Sequence, residues 1–265
     1  MKRSFKGLIC LILCLSLSVP AFALTETNTD KISYLNRSGF PIELLEILRS
    51  EDLNELYLGV KNGTILYGGT ATQKLSETGS IVPYAQGDID YLNVGITHTF
   101  NMDVTEDGTA KIESVGIYVN YEWTNGRPAI AKTDTIAVNW DASLFYATGF
   151  SAESAAFLEE GGYVEIDSWS NPTELTQGGL GYLAELSYGW GAVESHVGYA
   201  NFDLKPRSPM YYGNTYNTTV NLQYIHCDDP GEVTVGFNVG IFSVSGNISG
   251  STESAAVYTD FSYSV

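Results

Sequence analysis

The chain is dominated by segments in which apolar side chains occupy every second position. In Tyr91–Val104 these are Leu92, Val94, Ile96, Phe100, Met102 and Val104, with Asn93, Thr97, Thr99, Asn101 and Asp103 between them. Successive side chains of a strand point to opposite faces, so the pattern predicts one face on a core and the other, Thr97 included, in water. Ala110–Trp123 repeats it through Val115, Ile117, Val119, Tyr121 and Trp123, and Thr133–Trp140 through Ile136, Val138 and Trp140. Asp107-Gly108, between the first two segments, predicts a tight hairpin. Further strands are expected at Leu180–Trp190, Gly191–Leu204, Thr219–His226, Glu232–Ser245 and Ser254–Val265. Thr64–Tyr67 and Ala71–Leu75 suggest a short hairpin around Gly68-Gly69. Ser76–Asp88, Asp167–Gly179 and Lys205–Asn217 read as loops.

The period lengthens to that of a helix in two places. Within Lys31–Gly59, Phe40, Leu44, Ile47 and Leu48 share one helical face, with Pro41 at a first helical position and Glu43 in the first turn. Ser50 can cap a further helix that buries Leu53, Leu56 and Tyr57 and stops at Gly59. Lys31–Asn36 is a weaker helix, and Leu24–Asp30 is polar. Phe150–Glu160 shows Ala155, Phe157 and Leu158 at helical spacing, with Ser151 before them and Gly161-Gly162 behind. The expected fold is mainly β, an antiparallel β-sandwich of about 8–10 strands carrying a small N-terminal helical segment. Residues 24–60 would form the helical head and residues 61–265 the sandwich.

Ahead of these elements, Lys2, Arg3 and Lys6 precede an apolar run, Leu8–Val19, and Ala21-Phe22-Ala23 supplies a cleavage site. This is the pattern of an export signal over residues 1–23. Its apolar run, about 12 residues, is shorter than the roughly 20 a membrane-spanning helix needs. Loss of that signal would take the formal net charge from −18 to about −21. Such a field repels nucleic acid and anionic membranes and leaves cations, basic proteins and neutral glycans as partners. Of the three cysteines only Cys227 would remain. It cannot form an internal disulfide and reads as a buried small hydrophobe.

Motifs of known chemistry are missing from the sequence. It contains no Gly-x-Ser-x-Gly elbow, His-Glu-x-x-His, Cys-x-x-Cys or phosphate loop, so no catalytic residue, metal ligand or cofactor is assigned. His98 and His226 lie in phase with apolar strand faces and read as core histidines. His196 is out of phase with Val193 and Val197 and is expected to be exposed. The acidic turns Asp103–Asp107 and Asp228–Glu232 are explained by hairpin chemistry. Aromatic residues are more suggestive: the chain has 4 Trp, 18 Tyr and 11 Phe. Trp123, Trp140 and Trp190 fit a strand core. Trp169, Tyr211, Tyr212 and Tyr216 stand among Ser, Asn, Gly and Pro instead, and are the candidate ligand-binding residues, suited to stacking on a neutral glycan.

Two stretches carry a resemblance. Ser38-Gly39-Phe40-Pro41-Ile42-Glu43-Leu44-Leu45, continuing to Leu53–Tyr57, resembles the helical opening of uncharacterised secreted proteins of Gram-positive, Clostridia-like bacteria. Tyr121-Glu122-Trp123-Thr124-Asn125-Gly126, with Lys132–Trp140, resembles their central block. The resemblance implies export and a helical head on a β-rich body, and brings no activity with it. The reading of the whole chain is an exported, non-enzymatic β-sandwich that binds a neutral glycan or a surface protein at or near the cell surface. A secreted glycan hydrolase or lyase is the second reading and an outer-membrane β-barrel the third.

Overall fold

In the computed structural model the described residues are 26–74, 92–105, 108–124, 133–159, 161–186, 193–212, 214, 217–227 and 252–262. The described residues open with three helices, α1 (Asn28–Arg37), α2 (Ile42–Leu45) and α3 (Ser50–Asn62). Thr27 starts α1 with a capping box: its side chain accepts from the Asp30 N–H, and its own N–H donates to the Asp30 carboxylate at 3.0 Å. The polar stretch before Lys31 is thus partly helical. Pro41 precedes α2 rather than opening it, and Arg49, not Ser50, stands at the cap of α3. The last helix also runs past Gly59 to Gly63, whose φ of 74° supplies the left-handed residue that ends it.

Twelve strands follow among the described residues: β1 (Ile65–Lys74), β2 (Leu92–Val104), β3 (Ala110–Trp123), β4 (Thr133–Asn139), β5 (Phe145–Leu158), β6 (Tyr163–Trp169), β7 (Glu174–Leu175), β8 (Gly179–Glu185), β9 (Val193–Pro206), β10 (Met210–Tyr211), β11 (Asn217–Cys227) and β12 (Thr252–Ser262). They form a seven-stranded sheet in the order β1-β2-β3-β9-β5-β6, with β10 also on β3, and a five-stranded sheet in the order β12-β11-β4-β8-β7. Every pairing is antiparallel. β2 and β3 pair as the predicted hairpin, with Phe100 opposite Val115, while Asp107 lies outside the described residues. The strands expected at Glu232–Ser245 and the loop at Ser76–Asp88 lie outside the described residues, as do the export signal, Trp190 and Tyr216.

The two sheets face one another across an aromatic core. Trp123 and Tyr121 of the larger sheet pack against Tyr224 of the smaller, Trp140 lies 5.7 Å from Phe202 between ring centres, and Phe150 lies 5.6 Å from Tyr182. Apolar faces turned inward in this way make a sandwich; a membrane barrel turns them outward to lipid. Inside the core the Trp123 indole N–H donates to the Tyr224 hydroxyl at 3.0 Å, and that hydroxyl donates to Asp134 at 2.5 Å.

A second core lies on the other side of the larger sheet. There Leu35, Phe40, Leu44, Leu45, Leu48, Leu53, Leu56 and Tyr57 of the helices cover Ala155, Val197 and Tyr199. The seven-stranded sheet is therefore the middle of three layers, and this overturns several expectations. Thr97 is fully buried rather than on a wet face, and its hydroxyl is 2.8 Å from that of Thr70. His196 is fully buried too: it sits opposite Trp123 and Ala156 on the inner face, while Val197 serves the helix-facing core. Phe150–Glu160 is not a helix but most of β5. Ala152 faces the sandwich core and Ala155 the helices. Small residues fit a strand buried on both sides, and apolar positions on both faces, Ala152 inward and Ala155 outward, imitate helical spacing. Thr64–Tyr67 and Ala71–Leu75 are one strand, not a hairpin; the glycine pair is a bulge over the His98 ring. Asp167–Gly179 includes the end of β6 and β7, and Lys205–Asn217 includes the end of β9 and β10.

Candidate functional site

Along β3, β9 and β5, the outward phase of the seven-stranded sheet changes character from one end to the other. The end under the helices carries Val197, Tyr199 and Ala155. Further along come Asn201, Asp203 and Lys205 on β9, Gly116 and Ser114 on β3, and Tyr146 on β5, opposite Lys205. The helices cover only the first part.

A polar network fixes the edge of that cover. The Tyr199 hydroxyl donates to Asp52 on α3 at 2.6 Å, and the Arg49 guanidinium donates to the same carboxylate at 3.0 Å. Arg49 also donates to the Ser151 hydroxyl on β5 and lies 3.9 Å from Glu153. The Tyr163 hydroxyl of β6 donates to Glu153. Glu153 is almost wholly sequestered, and that burial pushes its carboxyl above the usual range, a shift the Tyr163 bond opposes. Burial raises the Tyr199 hydroxyl as well, reinforced by its bond to Asp52.

Where the cover stops there is a cleft of about 190 Å³. Asp52 and Glu55 of α3 form one wall, Asn101, Gly116 and Tyr118 lie on β2 and β3, and Ser151, Asn201 and Asp203 complete it. Asp203 accepts from Asn101 Nδ2 at 3.0 Å and from the Ser114 hydroxyl at 3.1 Å. Burial raises its carboxyl, while Ser114 and Lys205 hold it back. The Tyr118 hydroxyl is pushed up by burial and then by Asp203, Glu55 and Asp52. Three carboxylates thus act on one point of the cleft.

Beyond the cleft the outward face carries exposed rings. Tyr146 is 42% exposed, with the Arg207 guanidinium 5.6 Å from its ring centre. Tyr211 and Tyr212 are each 40% exposed. Pairing of Met210 and Tyr211 with Ile112 and Lys111, and the Tyr212 N–H on the Ala110 carbonyl at 2.9 Å, hold them to β3. Met210 is buried in the sandwich core, so Tyr211 points outward like Tyr146.

Of the four aromatic residues the sequence points to, the structure keeps Tyr211 and Tyr212 together. Trp169 is elsewhere: at the end of β6, opposite Ala152, it packs against the sandwich core with its ring 5.9 Å from Tyr182. Through Ala152, Ala200 and Val119 it is roughly 25 Å along the strands from Lys111, Tyr211's neighbour, at about 3.4 Å per residue. Sequence reasoning missed Tyr146 and the cleft. The available signal was the polar phase of β2, β3 and β9, which uses Thr, Asn, Ser, Gly and Asp where a solvated face commonly carries Lys and Glu.

No protein-family model matches the chain, and no curated protein matches it. Among solved structures it is similar to one called BspA_C_WT, at 8% identity and a TM-score of 0.30, covering 63% of this chain and 58% of that one. It is also similar to the enzymatically active domain of tailspike protein 4 of bacteriophage CBA120, at 11% identity and a TM-score of 0.23, over 56% of this chain and 19% of that one. The CupB6 tip adhesin from Pseudomonas aeruginosa matches at 10% identity and a TM-score of 0.21, over 73% of this chain and 52% of that one. The chain spans less than two thirds of each, and likenesses this weak leave function to be argued from its own residues.

Proposed function

We propose that this is an exported, non-enzymatic β-sandwich protein that binds a glycan without negative charge, at or near the cell surface, on the outward face of its larger sheet. The observation that carries the reading is that this face is only partly covered. It presents the exposed rings of Tyr146 and Tyr211 beside a polar cleft, on strands whose other face is locked into the core. Tyr rings supply flat apolar area for sugar faces, and the amides, hydroxyls and carboxylates of the cleft suit sugar hydroxyls. Formal net charge of −18 opposes anionic polymers. Export rests on the charged, apolar and small-residue run of residues 1–23.

Glycan-array binding followed by titration tests it with Tyr146→Ala, Tyr211→Ala, Tyr212→Ala and Trp169→Ala. The first two should lose binding at unchanged melting temperature. Trp169→Ala should lower melting and spare binding. Retained binding in both Tyr146→Ala and Tyr211→Ala would sink the surface, and capture of a surface protein with no glycan bound would replace the ligand class. A second reading, a glycan hydrolase, is favoured only by the differing environments of Asp203 and Asp52 across one cleft. Turnover of any bound glycan, abolished in Asp203→Asn, would establish it.

A further inference from the structure

The cleft and the exposed rings lie on one line. Asn201, Asp203 and Lys205 follow one another on the outward phase of β9, with Asn201 opposite Tyr118 and Lys205 opposite Tyr146. Asn201 and Asp203 line the cleft, Tyr146 stands past it, and Tyr211 is further on, opposite Lys111. Tyr118 and Lys111 both belong to β3. With one residue between them taken up by the bulge against β2, the line is roughly 20 Å long at about 3.4 Å per residue. That is several times the width of a sugar ring.

The two ends of the line differ. At the Asn201 end α3 closes it: the preceding outward residue of β9 is Tyr199, whose hydroxyl is bonded to Asp52, and Asp52 and Glu55 form the wall. At the other end Tyr146 and Tyr211, 42% and 40% exposed, stand in the open. Tyr146 is also oriented in advance. Arg207 donates from Nε to the Ala142 carbonyl at 2.7 Å and from its backbone N–H to the Leu144 carbonyl at 2.8 Å, which ties it to the turn ahead of β5. Its guanidinium covers one face of the Tyr146 ring and leaves the other for a ligand.

We infer that the site takes the end of a linear, uncharged oligosaccharide, with the terminal unit in the cleft against α3 and the following units over Tyr146 and Tyr211. A cleft of about 190 Å³ is smaller than the roughly 300 Å³ of drug-sized sites, and it suits a single sugar unit. Being blind, it admits a chain terminus and stops a passing chain, which would have to displace the helix that Tyr199 and Arg49 tie to the sheet. The terminal unit meets the hydrogen-bonding groups of Ser151, Asn201 and Asp203, and the next units meet flat rings. One set of paired strands carries both halves, so an added unit binds without ordering the protein. This mode of entry presupposes that the outward face is the binding face.

Calorimetric titration of the full chain with linear fragments of amylose, cellulose, mannan and chitin, from monosaccharide to hexasaccharide, reads the length. In the series that binds, affinity should rise at least about tenfold from disaccharide to tetrasaccharide and change less than about twofold beyond it. The hexasaccharide of that series is then blocked with a bulky benzyl group at one terminus or the other. One block should weaken binding at least about tenfold, and the other should be tolerated. Tyr211→Ala should remove the gain of the longer members and leave the disaccharide unchanged, whereas Tyr146→Ala should weaken both. Tolerance of both blocks, or loss with both, overturns end-on entry, and equal affinity along the series overturns the extended line. If either happens while Tyr146→Ala still loses the ligand, end-on entry fails and the outward face stands. Silence from every series overturns end-on entry, and with an empty glycan array overturns the face as well.

Discussion

Leu44→Ala tests whether the helices are held to the sandwich by packing alone. Leu44 lies on α2, a helix of only 4 residues, and is fully buried with Leu45, Leu48 and Leu56 against Val197 and Tyr199. A single turn has almost no stability of its own, because nucleation fixes several residues for one hydrogen bond. Its geometry therefore depends on the docked side chain. Truncating a buried leucine costs about 2–5 kcal/mol, the upper part applying where surrounding atoms cannot collapse into the gap. The sheet beneath is pinned on its other face by the sandwich core, so a value of about 3 kcal/mol is expected. With a denaturant slope of about 3 kcal/mol per molar urea, the unfolding midpoint should fall by about 1 M. Leu58→Ala on α3 is the control: Leu58 is 45% exposed, and its loss should stay within about 0.5 kcal/mol. Equal midpoints for the two variants would refute docking through Leu44.

Thr97→Asp and Val119→Asp should both abolish soluble folded protein, since both positions are buried and either would place an unpaired charge inside; folded Thr97→Asp would show that the outward face is wet there after all. Gly198→Ala should cost about 1–3 kcal/mol, because its β-carbon would fall 2.4 Å from the ring and hydroxyl of buried Tyr121, and a melting temperature equal to the parent's would contradict that contact. Burial raises the Glu153 carboxyl, so the folded protein holds that proton more tightly than the unfolded chain, and stability falls as pH rises through the folded value. Glu153→Gln, which stays beside Arg49, Asp52, Tyr163, Glu165 and Tyr199, should therefore gain over the parent near pH 7 and lose that gain below about pH 4. A midpoint difference that does not change with pH would show that Glu153 is not the strained group.

The strands of the sandwich were legible because one face of each carries a regular apolar phase. That is so for β2, β3, β4, β9 and β11, and Asp107-Gly108 in the sequence marks the break between the first two. What the alternation could not show is that the polar phase of the middle sheet is buried as well. Thr97, Thr99 and Asn120 are short polar residues whose sequence signature on a covered face and on a wet one is the same. The failure at Phe150–Glu160 has the same origin. A strand packed between two layers carries Ala at 152, 155 and 156, and apolar residues on both of its faces give those alanines helical spacing. His196 reads as exposed only if Val197 marks the inner phase, and Val197 belongs to the helix-facing core. The loop tyrosines were found by their setting among Pro, Ser and Gly. Tyr146 was not, since on β5 it stands in ordinary strand phase.

The cleft has a cost that packing does not explain. Asp52 is used: it receives Arg49 and Tyr199 and ties α3 to the sheet. Glu55, one helical turn further on, shares that face of α3 and has no such partner role in the docking network, yet it adds a third carboxylate around Tyr118. Like charges gathered at a partly buried site oppose folding, and burial already penalises Asp203 there. A chain selected only to cap its sheet would do better with an apolar or basic residue at position 55. On this argument the helices do more than shield the sheet. Their acidic edge turns a plain strand surface into a polar cleft, whose gathered carboxylates oppose folding.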